Sequence, residues 1–73
     1  MAEQADELTK LIAIATDLEL SAELRTRATK QIGNVGTYLA LRALLDLAAN
    51  EKLSKGEREL ALKHAREIIK AGH

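Results

Sequence analysis

Apolar positions recur at helical spacing along almost the whole chain. At about 100° per residue, Leu8, Leu11, Ile12, Ile14, Ala15 and Leu18 share an arc of roughly 160°. That stripe predicts a first helix from about Ala2 to Asp17. A narrower stripe of Leu24, Ala28, Ile32 and Val35 follows Ser21. Ser21 suits an N-cap and Glu23 a first turn, so a second helix starts there, with Gly33 and Gly36 marking its fraying end. Thr37 can cap a third helix from about Tyr38 to Asn50. The fourth has the clearest start. In Ser54-Lys-Gly-Glu57 the serine is the N-cap and the glutamate, at the third helical position, reaches back to it. Gly72 suits the closing cap. Connections of two to four residues make consecutive helices antiparallel neighbours. The expected fold is all-α, four helices in two stacked antiparallel hairpins, with the first and third helices in one layer and the second and fourth in the other.

The same pattern repeats within the chain. A shift of 33 positions brings Leu8 onto Leu41, Leu11 onto Leu44, Ala15 onto Ala48 and Leu20 onto Leu53. It also brings Ser21 onto Ser54, Arg25 onto Arg58, Ala28 onto Ala61 and Lys30 onto Lys63, eight identities in the 23 positions from Leu8 to Lys30. Leu and Ala are abundant and amphipathic helices match readily, but the paired Leu-Ser turn and the paired Arg-x-x-Ala are harder to obtain by chance. A duplicated helical hairpin accounts for both.

Leu24-Arg25-Thr-Arg-Ala28 followed by Ile32-Gly33-Asn-Val35-Gly36 resembles the second helix of HEAT-like repeats, an apolar-Arg-x-x-Ala pattern with a Leu/Ile-Gly ending. Asp17, eight positions before Arg25, stands where those repeats carry an aspartate in the turn. The second unit departs from the pattern. Asn50 replaces the aspartate, Glu57 replaces the apolar residue before Arg58, and no glycine follows Ile68. The resemblance covers about residues 4–71. It implies a single domain of two stacked units, about 4–36 and 37–71, and a binding scaffold whose ligand it does not name.

Composition narrows the picture further. Thirteen Ala, thirteen Leu and five Ile dominate the apolar set, with one Val, one aromatic (Tyr38) and no proline. Such a chain favours helix over strand. Without cysteine there is no disulfide framework, thiolate zinc site or Cys nucleophile. A hydrophobic content of 47% at zero net charge argues against disorder. The longest apolar run, Leu11 to Ala15, is far short of the ~20 residues of a membrane helix. The opening Met1-Ala-Glu-Gln-Ala-Asp is acidic with no apolar h-region, so no signal peptide is expected, and the lack of cysteine staples in so small a domain makes a cytoplasmic setting the expectation.

Charge is divided along the chain. Residues 1–24 hold six acids and one base, a net of −5, whereas residues 25–73 hold ten bases and five acids, a net of +5. Arg42 with Asp46, and Glu59, Lys63 and Glu67 in series, have the spacing of intrahelical ion pairs. Arg27, Lys30, Lys63, Arg66 and Lys70, on the second and fourth helices, form a candidate basic surface for phosphates. Glu57, Glu59 and Glu67 interrupt that set, and no aromatic platform accompanies it.

Candidate chemistry is sparse. His64, with Glu67 one turn along, falls at the edge of the apolar arc between Leu60 and Ile68 and reads as a core-edge histidine; His73 is terminal. Gly33-Asn-Val-Gly36 follows a helix and lacks phosphate-loop spacing, so it reads as a helix-to-helix turn with left-handed glycines. Ser21 and Ser54 read as caps. No metal, cofactor or enzymatic activity is expected. The expected core is Leu8, Leu11, Ile12, Ala15, Leu24, Ala28, Ile32, Leu44, Leu47, Ala48, Ala61, Ala65 and Ile68. Around the third helix apolar residues run through about 280°, more than a four-helix unit needs to bury. Tyr38, Leu41, Leu45 and Ala49 therefore form a candidate interface, for a homodimer or for another protein. A non-enzymatic interaction or assembly module is the favoured function, and a nucleic-acid-binding module is the alternative.

Overall fold

In the computed structural model, which describes residues 2–72 with side chains from Asp6 onward, four helices carry the chain: α1 (Ala2–Ala15), α2 (Ala22–Val35), α3 (Tyr38–Ala48) and α4 (Lys55–Lys70). His73 lies outside the described residues, and no strand occurs among them. The three helix starts have the expected chemistry. Ser21, Thr37 and Ser54 each take up extended backbone and accept a hydrogen bond from the amide three residues on, at 3.2 Å in every case. Ser54 and Glu57 form the full capping box, the Glu57 carboxylate accepting from the Ser54 amide and hydroxyl.

α1 and α3 stop two residues earlier than their apolar stripes suggested. The cause is local. Asp17 and Asn50 turn their side-chain oxygens onto the amides of Glu19 and Lys52, each at 3.0 Å, and draw the chain out of the helix. Backbone bonds from Leu20 to Asp17 and from Leu53 to Asn50, both 3.1 Å, complete the turns. The two turns thus match bond for bond at a spacing of 33 residues. At the α2–α3 junction only Gly36 is left-handed, with φ 69°; Gly33 is an ordinary helical residue. Gly72, at φ 90°, follows the end of α4 as expected.

The helices form two antiparallel hairpins, α1–α2 and α3–α4, within 31 × 26 × 16 Å. The hairpins stack chiefly through α2 and α4. α1 meets α3 only narrowly, while α2 and α3 each touch all three other helices.

Among the described residues, half of the buried apolar side chains are alanines: Ala15, Ala28, Ala40, Ala43, Ala61 and Ala65. Small side chains let the helix axes approach closely, and the bulk comes from Leu8, Ile32, Leu44, Leu47, Leu53 and Ile68. Leu11, Ile12 and Ala48 are half-buried against this core. Ala40, Ala43 and Leu53 join it beyond the expected set. Leu24 does not. It is 43% exposed, because it lies on the side of α2 that no other helix covers.

Candidate functional site

The most developed polar arrangement sits where the hairpins meet. Arg25, in the first turn of α2, reaches Glu57, in the first turn of α4, through two bonds: Nε to Oε2 at 2.7 Å and Nη2 to Oε1 at 3.1 Å. Its remaining nitrogen, Nη1, donates to the carbonyl of Leu20 at 2.6 Å and more distantly to that of Asp17. One guanidinium therefore ties the first turn, the start of α2 and the capping box of α4 together. Glu57 is 8% exposed and satisfied by Arg25 and Ser54. The hydrogen bonds from Arg25, joined by those from Ser54, pull its carboxyl from 4.5 down to about 2 against the opposing cost of burial. Glu57 in turn raises the pKa of Arg25. Sequence spacing does not reveal this cross-hairpin pair, since it marks Glu57 only as a cap residue and Arg25 only as the arginine of the repeated Arg-x-x-Ala pattern. The visible signal was the departure at position 57, a carboxylate where the repeat pattern wants an apolar residue.

Farther along the same junction α2 and α4 approach at Gly33. A Cβ there would stand 2.9–3.1 Å from Nδ1, Cγ and Cβ of His64, so the histidine ring occupies the space that a side chain would fill. His64 also contacts Glu67, Nδ1 to Oε1 at 3.2 Å, while its Nε2 is buried without a hydrogen-bond partner. This is a packing histidine at the edge of the core. Among the described residues no group of three or more His, Asp and Glu has the geometry to hold a metal ion.

The open side of the second hairpin has a different character. Tyr38 and Leu45 on α3 and Ala49 at its C-cap are exposed, whereas Leu41 is half-buried and packs on the core, so the candidate interface is three exposed residues and one shared with the interior. On α4, Leu62 and Ile69 are exposed, the latter at 57%. Between the helices a groove of about 220 Å³ is lined by Ala48, Lys55, Arg58, Glu59 and Leu62. Arg58 Nε is out of water there and has no acceptor. Leu39, on the other flank of α3, borders a cleft of about 320 Å³ against α1, with Leu8, Ile12 and Ala43 beneath it.

Arg27, Lys30, Lys63, Arg66 and Lys70 are all exposed on the solvent sides of α2 and α4. Arg27 pairs with Glu23 at 3.5 Å, while Glu59 and Glu67 share the exposed side of α4 with its bases. The expected pairs Arg42–Asp46, Glu59–Lys63 and Lys63–Glu67 do not close among the described residues, where Arg27–Glu23 and His64–Glu67 are the intrahelical contacts. No helix among those residues is long and apolar enough to cross a membrane. No protein-family model, curated protein or solved structure matches the chain.

Proposed function

We propose that this chain is a non-enzymatic assembly module that binds protein through the open side of its second hairpin, a second copy of itself included. The observation that carries the reading is the groove there, where exposed Leu62 lies beside Arg58, whose Nε is shielded from water yet unpaired, with Leu45 and Ile69 exposed on the two helices that form it. A shielded N–H without an acceptor costs free energy that a partner's carboxylate would recover. Contiguous exposed apolar side chains mark interaction surfaces in the same way. The matching turns and caps at 33-residue spacing support the duplicated-hairpin reading.

Self-association is tested by analytical ultracentrifugation. Wild type is expected to exceed 8.0 kDa at tens of micromolar and above. Leu45→Glu should restore the monomer with its helicity intact, since Leu45 is 43% exposed, whereas Leu44→Glu should unfold the protomer, since Leu44 is fully buried. A monomeric wild type with a melting temperature independent of concentration would refute self-association.

A further inference from the structure

The surface that the second hairpin leaves open corresponds, position by position, to the surface that the first hairpin has already covered. In the first hairpin Leu8 and Thr29 are buried, Ile12 packs half-buried on the core, and Arg25 is paired. Thirty-three residues on stand Leu41, Leu62, Leu45 and Arg58. Leu45 and Leu62 are exposed, Leu41 is half-buried, and Arg58 Nε has no acceptor. The converse holds at the other end of the molecule. Leu47, Glu57 and Ile68 are buried in the second hairpin, whereas Ile14 and Leu24, at the positions of Leu47 and Glu57, are exposed, and Val35, at that of Ile68, is half-buried. The outer side of the first hairpin and the open side of the second are therefore the two halves of the chain's own internal junction, each lacking its complement.

We infer that copies of this chain stack head to tail, the open side of the second hairpin in one copy covering the outer side of the first hairpin in the next. This deepens the self-association reading and rests on it. Charge favours the arrangement: the first hairpin, residues 1–36, holds six acids and four bases, a net of −2, and the second, residues 37–73, holds seven bases and five acids, a net of +2, whereas a two-fold contact between second hairpins would set like on like. Arg58 then faces the first turn of α2 in the second copy, as Arg25 faces the first turn of α4 within the chain. Leu24 holds the position that matches Glu57, so the carboxylate comes from Glu23, one residue earlier and otherwise engaged only in an exposed pair with Arg27. A contact of this heterologous kind does not close on itself and yields open-ended oligomers.

Two end-blocked variants separate the geometries. Leu24→Glu blocks the first hairpin's outer side and Leu45→Glu the second hairpin's open side; Ile69→Glu replaces the latter should its melt show destabilisation. In ultracentrifugation at low salt, wild-type mass should climb with concentration past the dimer. Each variant alone should stay monomeric, and an equimolar mixture should give a dimer, because one intact junction remains. Arg58→Gln should weaken stacking about tenfold while leaving the monomer's melt unchanged, and raised salt should weaken the wild type. A discrete dimer that survives in Leu24→Glu but is lost in Leu45→Glu would overturn head-to-tail stacking and leave the proposed interaction surface standing. A mixture that stays monomeric would overturn the stacking as well. A wild type that is monomeric throughout would overturn both.

Discussion

Replacing Glu57 by glutamine keeps the shape of the junction and removes its charge. The Arg25 guanidinium then loses the anion on two of its nitrogens, and Ser54 keeps an amide oxygen in place of the carboxylate. The carboxyl pKa of about 2 in the folded protein, against an ordinary 4.5, sets a ceiling of roughly 3.4 kcal/mol on what ionisation of Glu57 adds to stability. Solvent screening and the cost of burying the pair reduce this to about 2 kcal/mol. A domain of 73 residues holds only ~4–11 kcal/mol in total, so the loss is large, a fall in melting temperature of about 8–16 °C. The pH dependence has a definite sign. The folded pKa lies below the unfolded one, so the contribution is complete above pH 4.5 and vanishes as the pH falls to about 2. Urea melts followed by far-UV circular dichroism should therefore give a constant gap between wild type and Glu57→Gln from neutral pH down to mild acid. The gap should then close across the window where Glu57 alone distinguishes the two proteins. A gap at neutral pH below about 0.5 kcal/mol would place the pair among ordinary surface bridges and refute the reasoning. So would a gap that persists undiminished at the acid end.

Two glycines on opposite helices should respond with opposite signs. Gly33→Ala gains helix propensity but drives a methyl into the root of the His64 ring, so a net loss of about 1 kcal/mol is expected. In the Gly33→Ala/His64→Ala double variant the obstruction is gone, and a double-mutant cycle by urea denaturation should give a coupling well above 0.5 kcal/mol; additive effects would contradict the close approach of α2 and α4. Gly56, in the first turn of α4, has nothing within 4 Å of the position a Cβ would take. Gly56→Ala should accordingly raise stability by about 0.5–1 kcal/mol in the same melts, and a loss would show that the capping box depends on glycine next to Glu57.

The helical class, the two hairpins and all three N-caps could be read from the chain itself, because each rests on contacts within a few residues. Apolar spacing gives the amphipathic stripes, Ser or Thr three residues ahead of the amide it accepts from gives the caps, and short turns give antiparallel neighbours. The same locality exposed the 33-residue correspondence between Ser21 and Ser54 or Arg25 and Arg58. What the chain could not disclose were relations between residues 30 or more apart, which depend on how the hairpins are placed. Leu24 and Glu57 occupy matching positions and equally good helical faces, yet only stacking decides that one is exposed and the other buried. The pairing of Arg25 with Glu57, the need for Gly33 opposite His64, and the unpaired Nε of Arg58 follow from that same stacking. Alanine-rich faces sharpen the effect. With little bulk to dictate which neighbour fits, the periodicity of a helix fixes the direction of its apolar side but not what covers it, and the choice falls to the long-range fit of one hairpin on the other.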